Sequence, residues 1–243
     1  MKVNSIQAKT VGVLGGMGPW ATALFFQKLV ELTPATKDRE HLHVIIDNDP
    51  QIPSRTRHFL YHEESPVPRM IADCQRLAAY PVDFIVIPSN NASHFLPQVQ
   101  PLVTVPIVNI MAITARRVAA DHPGIKRVAV LGGAITYHLQ TYQPFLRELG
   151  LIQVQHSPAL QAQVEELIAR IKVNEIAPAV FEQMEAIIRR LQETEGAEAV
   201  ILGCTEFGYL AKTKAVIPVI DSTLELAKFT VNSAKASLAK NPM

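Results

Sequence analysis

Short runs of apolar residues alternate along the chain with longer stretches in which apolar residues recur every three or four positions. The short runs are apolar at nearly every position, which is typical of parallel strands buried on both faces. Strands are predicted at Thr10–Leu14, His43–Asp47, Asp83–Pro88, Ile107–Asn109, Arg127–Leu131, Ile152–Gln155, Ala199–Leu202 and Val216–Ile220. Helices are predicted at Trp20–Leu32, Pro68–Ala79, Met111–Ala120, Leu139–Leu149, Gln161–Ile171, Glu175–Glu193 and Thr223–Leu238. Strands that alternate with helices in this way predict an α/β fold.

The pattern repeats once along the chain. Three pairs of segments match in order and at nearly equal spacing: Val11–Gly16 with Val128–Gly133, Phe84–Ser89 with Ala199–Cys204, and Val105–Asn109 with Ile217–Asp221. An ordered internal repeat indicates duplicated structural units. We therefore expect two similar Rossmann-like domains with parallel sheets, related by a pseudo-two-fold duplication. The first domain is predicted to contain residues 1–109 and 217–243, and the second residues 110–216.

Composition narrows the class of protein. The chain has 243 residues, of which 48% are hydrophobic, enough for a sizeable core. Its net charge of +1 argues against a nucleic-acid or membrane-surface partner. It has no apolar run of about 18 residues and no signal-peptide pattern, so we expect a cytoplasmic protein. Two cysteines, Cys74 and Cys204, are too few for a disulfide framework, so each is expected to be a free thiol.

The repeat places Ser89 and Cys204 at equivalent positions, each at the carboxyl end of a predicted buried strand. Ligands of open α/β sheets bind beyond those ends. If the units pack face to face, the two side chains flank one cleft, which suits chemistry at a stereocentre. A helix after Cys204 would lower the pKa of its thiol and favour catalysis, whereas the alternative is a buried structural cysteine. Cys74 lies in a helical pattern and is predicted to be structural.

Other candidates are less specific. The turn at Gly15–Pro19 opens a helix, and Gly16–Ala21 fits the dinucleotide fingerprint Gly-x-Gly-x-x-Ala, so an NAD(P)-binding oxidoreductase remains an alternative, but the turn equally suits a small carboxylate. Arg55 ends a proline-bracketed loop and could bind a carboxylate through two hydrogen bonds, and Lys172 could add a second charge. Ser89–Asn91 could hold a ligand or simply form a turn. The histidines and cysteines show no metal-ligand spacing, so no metal site is expected.

Four ordered motifs resemble the aspartate/glutamate racemase family over essentially the whole chain. They are Val11–Pro19, the Asn-x-Pro-Gln-Ile-Pro-x-Arg-Thr segment ending at Thr56, Ile87–Asn90, and Ile201–Glu206. The resemblance implies two like domains around one substrate, no cofactor, a homodimer, and a cysteine from each domain flanking the α-carbon. Position 204 matches the second cysteine, and position 89, here Ser, matches the first.

The resemblance also assigns substrate-binding residues. Asn90, Asn91 and Thr205 match residues that hold the amino-acid head group, although Asn91 stands where Thr or Ser is usual. Arg55 matches the arginine that binds the side-chain carboxylate, and Lys172 falls near a lysine with a similar role. The remaining substrate-binding candidates are Met17 in the glycine-rich turn, Gln51 in the Arg55 loop, and Glu206.

Ser89 limits the mechanism that the resemblance implies. A two-base racemase removes the α-proton on one face and returns a proton on the other, and a serine hydroxyl is too weak a base without a partner. Ser89 is therefore an engineered replacement, a natural one-thiol variant, or a sign of altered chemistry such as decarboxylation or protonation on one face. His94, five residues on, is not evidently a partner base.

The sequence thus predicts a cofactor-independent amino-acid racemase acting on a small dicarboxylic amino acid, with aspartate the first choice. Alternatives are a glutamate-preferring or broad aspartate/glutamate racemase, the oxidoreductase above, a catalytically silent amino-acid-binding protein, and the neighbouring hydantoin racemase and maleate isomerase activities.

Overall fold

Eight strands form two four-stranded sheets in the computed structural model, which describes residues 8–173, 175–210 and 214–236. The strands are β1 (Val11–Gly15), β2 (Val44–Asn48), β3 (Phe84–Val86), β4 (Ile107–Val108), β5 (Arg127–Leu131), β6 (Ile152–Val154), β7 (Ala199–Leu202) and β8 (Val219–Asp221). All eight predicted strands are confirmed, with small differences at their ends. Residues of β1, β3 and β7 are buried throughout, which explains their continuous apolar character.

The two sheets have the same topology. The first has the order β2-β1-β3-β4 and the second β6-β5-β7-β8, and every neighbouring pair is parallel. Each strand of the first sheet therefore has its counterpart four strands later. This correspondence confirms the α/β class and the duplication, with β3 and β7, the strands before Ser89 and Cys204, in equivalent places.

Helices cover the sheets. They are α1 (Pro19–Leu32), α2 (Arg55–Tyr61), α3 (Val67–Ala78), α4 (Asn90–Ser93), α5 (Leu96–Val99), α6 (Ile110–Asp121), α7 (Ala134–His138), α8 (Gln143–Glu148), α9 (Pro158–Lys172), α10 (Pro178–Glu195) and α11 (Ser222–Lys235). The helix predicted at Leu139–Leu149 is wrong at its start, because Gln140 has a left-handed backbone (φ 46°) and separates α7 from α8. The short helices α2, α4, α5 and α7 were not predicted. The end of the helix predicted at Thr223–Leu238 lies outside the described residues.

Equivalent helices begin in the same way in both units. Asn109 follows β4, and its Oδ1 accepts hydrogen bonds from the first backbone N–H groups of α6 at 2.9 and 3.4 Å. Asp221 ends β8, and its Oδ1 accepts from the first N–H groups of α11 at 2.9 and 3.2 Å. A short polar side chain at the N-cap satisfies donors that have no partner within the helix. The third pair of repeated segments is thus a repeated strand-to-cap junction.

One apolar core joins the two units. It contains residues of β1 and β3 together with residues of β5 and β7, and it extends along α6 and α11. Helix α11 packs against both α1 and α6. Strand β8 pairs with β7 in the second sheet, whereas α11, the helix that follows β8, packs against α1 of the first unit and against α6. The division into residues 1–109 with 217–243 and residues 110–216 stays a prediction.

Membrane-spanning helices are absent from the described part of the chain, where every helix is too short or too polar to cross a bilayer.

Candidate active site

A glycine-rich turn follows the first strand of each unit. A side chain at Gly16, which has φ +89°, would place its Cβ 2.2 Å from the backbone of Asp49, so only glycine fits. The Thr22 hydroxyl accepts a hydrogen bond from the Gly16 N–H at 3.0 Å and donates to the Gly18 carbonyl at 3.1 Å. These contacts fix the turn at the entrance to α1.

The turn of the second unit is built on the same plan. A Cβ at Gly15 would lie 2.4 Å from the Thr22 side chain, and one at Gly132 would lie 2.8 Å from Thr136. Each glycine therefore makes room for a threonine from the helix that follows. The similarity includes side chains as well as backbone, which supports the duplication at the level of the site.

A cavity of about 120 Å³, called here the inner cavity, lies where the two units meet. Its lining is Met17, Ser54, Arg55, Thr56, Ser89, Asn90, Asn91, Gly133, Ile168, Lys172, Gly203, Cys204, Thr205 and Glu206. Both predicted catalytic positions, 89 and 204, therefore face the same space. All the predicted substrate-binding residues except Gln51 line the inner cavity. Gln51 is exposed, and its backbone N–H donates a hydrogen bond to the Asp49 side chain at 2.8 Å.

Some lining residues were missed by the sequence reasoning. Gly133 and Gly203 lie just beyond the carboxyl ends of β5 and β7, where the repeat and the strand ends could have indicated them. Thr56 ends the Arg55 motif, and Ser54 lies within it. Ile168 lies on α9, and no feature of the sequence marks it.

Cys204 contacts a carboxylate. Its thiol donates to Glu206 Oε2 at 2.9 Å, and the Thr205 hydroxyl donates to the same oxygen at 3.3 Å. Burial raises the pKa of the Cys204 thiol well above its usual value, and the Glu206 charge and hydrogen bond raise it further. Lys172 and the Glu206 backbone N–H lower that pKa to a smaller extent. Burial and the neighbouring carboxylate therefore both favour the protonated form of the thiol.

The pKa of Cys204 differs from the sequence-based expectation. A following helix was expected to lower it, but the residues after Cys204 form a short 3₁₀ helix, Thr205–Leu210. Its backbone contribution is smaller than the effects of burial and of Glu206. Burial first, and the Glu206 carboxylate second, raise the pKa of this thiol more than the backbone of the short helix lowers it.

Ser89 caps a helix. It is 5% exposed, and its hydroxyl oxygen accepts a hydrogen bond from the Ala92 N–H at 3.3 Å, at the start of α4. No titratable side chain hydrogen-bonds to Ser89 among the described residues. His94 packs edge-on against Phe95 with ring centroids 5.1 Å apart, and burial lowers the pKa of its imidazole. Within the described part of the chain, Ser89 thus has no base hydrogen-bonded to its hydroxyl.

The two asparagines after Ser89 are anchored by residues distant in the sequence. Asn90, 3% exposed, accepts from the Tyr142 hydroxyl at 2.6 Å and donates to the Ser222 hydroxyl at 3.0 Å. Asn91 Oδ1 accepts from the Thr136 hydroxyl at 3.1 Å. These bonds fix the orientation of both amides, since each oxygen already has a donor. The head of α4 is therefore a rigid wall of the inner cavity.

Arg55 begins α2, and its guanidinium is held by backbone carbonyls. It donates to Ile52 and Pro53 at 3.3 and 3.2 Å and to Met17 at 3.2 Å. Its Nε is buried and has no hydrogen-bond partner in the described part of the chain. Burial lowers the pKa of Arg55, and the charge of Glu206 partly offsets this. The guanidinium is thus a fixed positive charge that bridges the Arg55 loop and the glycine-rich turn.

A second, larger cavity of about 330 Å³, called here the outer cavity, adjoins the first. It is lined by Met17, Gly18, Pro19, Trp20, Ala21, Arg55, Ile171, Lys172 and Glu206. Met17, Arg55, Lys172 and Glu206 line both cavities, so these four residues form the junction between them.

Two further residues bear on the alternatives. Cys74 is fully buried, and burial raises the pKa of its thiol to about 12, in keeping with a structural role. The Asp47 carboxylate, which the dinucleotide interpretation would assign to a ribose, accepts a hydrogen bond from Arg76 at 2.8 Å. No cluster of residues suited to a metal ion occurs among the described residues.

Duplicated parallel sheets, with a thiol and its counterpart position facing one cavity between them, define a two-domain α/β enzyme with a pseudo-symmetric site. The chain belongs to the Asp/Glu/hydantoin racemase family, whose model matches residues 14–230. Members of this family are isomerases, as the motifs had implied. The family resemblance noted from the sequence is thereby confirmed.

Individual relatives cover nearly the whole chain. A broad specificity amino-acid racemase, RacX of Bacillus subtilis, is 31% identical over 231 residues, which are 92% of this chain and 97% of the relative. The structure of an aspartate racemase from Picrophilus torridus matches with a TM-score of 0.80 and 30% identity, covering 95% of this chain and 98% of that one. A glutamate racemase from Francisella tularensis shares the fold, with a TM-score of 0.65, 16% identity, and coverage of 97% and 84%.

Proposed function

We propose that this protein is a cofactor-independent racemase-type enzyme for a dicarboxylic amino acid, with aspartate the first choice and glutamate the second, and that Cys204 carries the α-proton. The observation that carries the proposal is the presence of Cys204 and position 89 in one cavity, at equivalent strand ends. Two such positions reach the α-carbon of one bound molecule from opposite sides. The relatives named as amino-acid and aspartate racemases support the same reaction class.

The lining of the inner cavity suits a dicarboxylic amino acid. Asn90, Asn91 and Thr205 offer polar groups on a rigid wall for the ammonium and α-carboxylate. Arg55 and Lys172 supply positive charge for the side-chain carboxylate. A positively charged arginine with fixed geometry is well suited to a carboxylate because its N–H groups can bind two oxygens at once.

The hydrogen bond between Cys204 and Glu206 gives the proton a route. The thiol proton passes to the Glu206 carboxylate, and the thiolate then takes the α-proton of the substrate. The electron pair left on the α-carbon is delocalised into the α-carboxylate. Return of the proton from Cys204 restores the starting enantiomer. Inversion needs a proton from the opposite face, where this chain has the weakly acidic hydroxyl of Ser89.

The proposal therefore predicts rapid exchange and slow inversion. In D₂O, one enantiomer of aspartate should gain α-deuterium with little loss of optical activity, and the family resemblance indicates the L-enantiomer for the Cys204 face. Exchange is followed by proton NMR and inversion by chiral chromatography, with Cys204→Ala as the inactive control. Rapid racemisation of both enantiomers by the chain with Ser89 would contradict the one-sided mechanism. Unaltered aspartate binding without any exchange would indicate a binding protein instead.

A second candidate function is favoured by Ser89, which caps α4 and has no base hydrogen-bonded to it in the part of the chain that the structure describes. A site with one thiol can protonate a carbanion on one face after a different bond has broken. Loss of CO₂ from a substrate with two carboxylates on one carbon would leave such a carbanion, and Cys204 would supply the proton. Release of CO₂ from a 2-substituted malonate, together with a single product enantiomer, would support this function; its absence would exclude it.

The proposal includes three further expectations taken from the family resemblance. The protein should act without pyridoxal phosphate, form a homodimer, and work in the cytoplasm. Sedimentation of the purified protein tests whether it forms a homodimer. Exchange activity that survives treatment with hydroxylamine, which removes pyridoxal phosphate, would show that the protein acts without this cofactor.

A further inference from the structure

We infer that the outer cavity receives the side chain of the substrate, so that the enzyme accepts amino acids longer than glutamate, in which a polar group such as an amide leads to an apolar or aromatic portion. The inference rests on the proposed function, because it takes the reacting α-carbon to lie in the inner cavity beside Cys204.

The sizes of the two cavities and their connection support this assignment. The inner cavity has a volume of about 120 Å³, and the outer cavity, at about 330 Å³, is nearly three times larger. Cavities of roughly 300–1,000 Å³ are typical of small-molecule sites. A side chain that ends at the junction residues, as that of aspartate would, leaves the larger space unused.

The walls of the outer cavity are suited to an apolar group. Met17, Pro19 and Ile171 present aliphatic or thioether surface, and Trp20 lies at the rim with 60% of its side chain exposed. The indole ring of Trp20 offers a flat apolar face to a ring of a ligand. The apolar end of a long side chain would thus be removed from water here.

The junction is suited to a polar group that both accepts and donates. Arg55 and Lys172 are donors without acceptor capacity, and they lie on the same cavity walls as Glu206. Both hydrogen bonds that Glu206 receives from Cys204 and Thr205 end on Oε2 rather than Oε1. Arg55, Lys172 and Glu206 together carry a net charge of +1, which accommodates a carboxylate. A side-chain amide would use all three groups, because its carbonyl accepts hydrogen bonds and its N–H donates one.

Gly18 allows the cavity to be narrowed without disturbing the fold. Its backbone angles, φ −108° and ψ 170°, are open to any residue, and an added Cβ would meet no atom within 4 Å. Because Gly18 lines the outer cavity, Gly18→Leu is expected to narrow it. Gly124→Leu is the matched control, because a Cβ at Gly124 also meets nothing within 4 Å and this residue lies on an exposed loop outside both cavities.

The experiment compares α-deuterium incorporation into L-glutamate and into L-glutamate γ-(4-nitroanilide), whose amide and ring correspond to the junction and the outer cavity. We expect the parent chain to exchange both compounds. Gly18→Leu should lower the ratio of kcat/KM for the anilide to that for glutamate by about tenfold or more, and Gly124→Leu should leave this ratio unchanged.

Three results would overturn the inference. Exchange of glutamate but not of the anilide by the parent chain would leave the proposed function in place and refute the inference alone. An equal loss for both compounds in Gly18→Leu would identify the outer cavity as an entry passage. Exchange of neither compound, nor of aspartate, would refute the proposed function and the inference together.

Discussion

The substitution Ser89→Cys adds a second thiol to the cavity, at the position equivalent to Cys204. Ser89 has no base beside it among the described residues, and an unassisted serine hydroxyl neither accepts nor donates a proton readily near neutral pH. A cysteine thiol has an ordinary pKa of about 8.5, close to working pH. We therefore expect this substitution to raise the rate at which one aspartate enantiomer is converted to the other.

The size of the gain follows from the role of one acid–base group. Such a group contributes about 10²–10⁴-fold in rate, or about 2.7–5.4 kcal/mol of activation free energy. The substitution also weakens the N-cap of α4, since sulfur accepts the Ala92 N–H less well than oxygen does. Loss of an N-cap costs about 1 kcal/mol of folding free energy, which the surrounding core should tolerate.

The assay is chiral chromatography of L- and D-aspartate, with deuterium exchange followed in parallel and thermal unfolding as a check on folding. Ser93→Cys is the control, because Ser93 lies on the same short helix, is 1% exposed, and does not line the inner cavity. A folded Ser89→Cys variant without faster inversion, or an equal gain in Ser93→Cys, would refute the reasoning.

Three further predictions concern the environment of the site. Glu206→Gln removes a charge that raises the pKa of Cys204, so alkylation of this thiol by iodoacetamide should begin at lower pH, whereas Lys172→Met should shift it to higher pH; unchanged profiles would contradict the assigned contacts. Asn90→Leu removes the acceptor of the Tyr142 hydroxyl and the donor to the Ser222 hydroxyl, although Ser222 keeps its bond to the Leu202 carbonyl; it should cost about 1–3 kcal/mol in urea unfolding, while a neutral effect would show that the network is not stabilising. Gly16→Ala should destabilise the fold by at least about 1–3 kcal/mol, and an unchanged melting temperature would contradict the tight approach of the neighbouring backbone.

The sequence was sufficient to predict the sheets and the pairing of the two reactive positions. The strands are buried on both faces, so their apolar runs are continuous and distinct from the helical pattern around them. The internal repeat also indicated which residues correspond in the two units, which hydrophobic periodicity alone does not show. Ser89 and Cys204 are equivalent because they follow the equivalent strands β3 and β7. This equivalence is a property of the chain alone and needed no three-dimensional information.

What was not predicted depends on contacts between distant residues. The break between α7 and α8 occurs at Gln140, whose left-handed backbone could not be predicted from its residue type. The raised pKa of Cys204 depends on burial, which a strand-end motif does not report. The outer cavity is lined by residues that are distant in the sequence, such as Trp20 of α1 and Ile171 of α9. Local preferences are weak beside tertiary packing, so such features appear only in the folded chain.

The shared core determines how the two repeats are expected to behave when they are separated. Side chains of β1 and β5 lie in the same apolar core, so each repeat buries an apolar face against the other. A gene cut between the repeats would therefore yield two fragments with large apolar faces. Such fragments should regain solubility only when expressed together, as complementary parts of one folding unit.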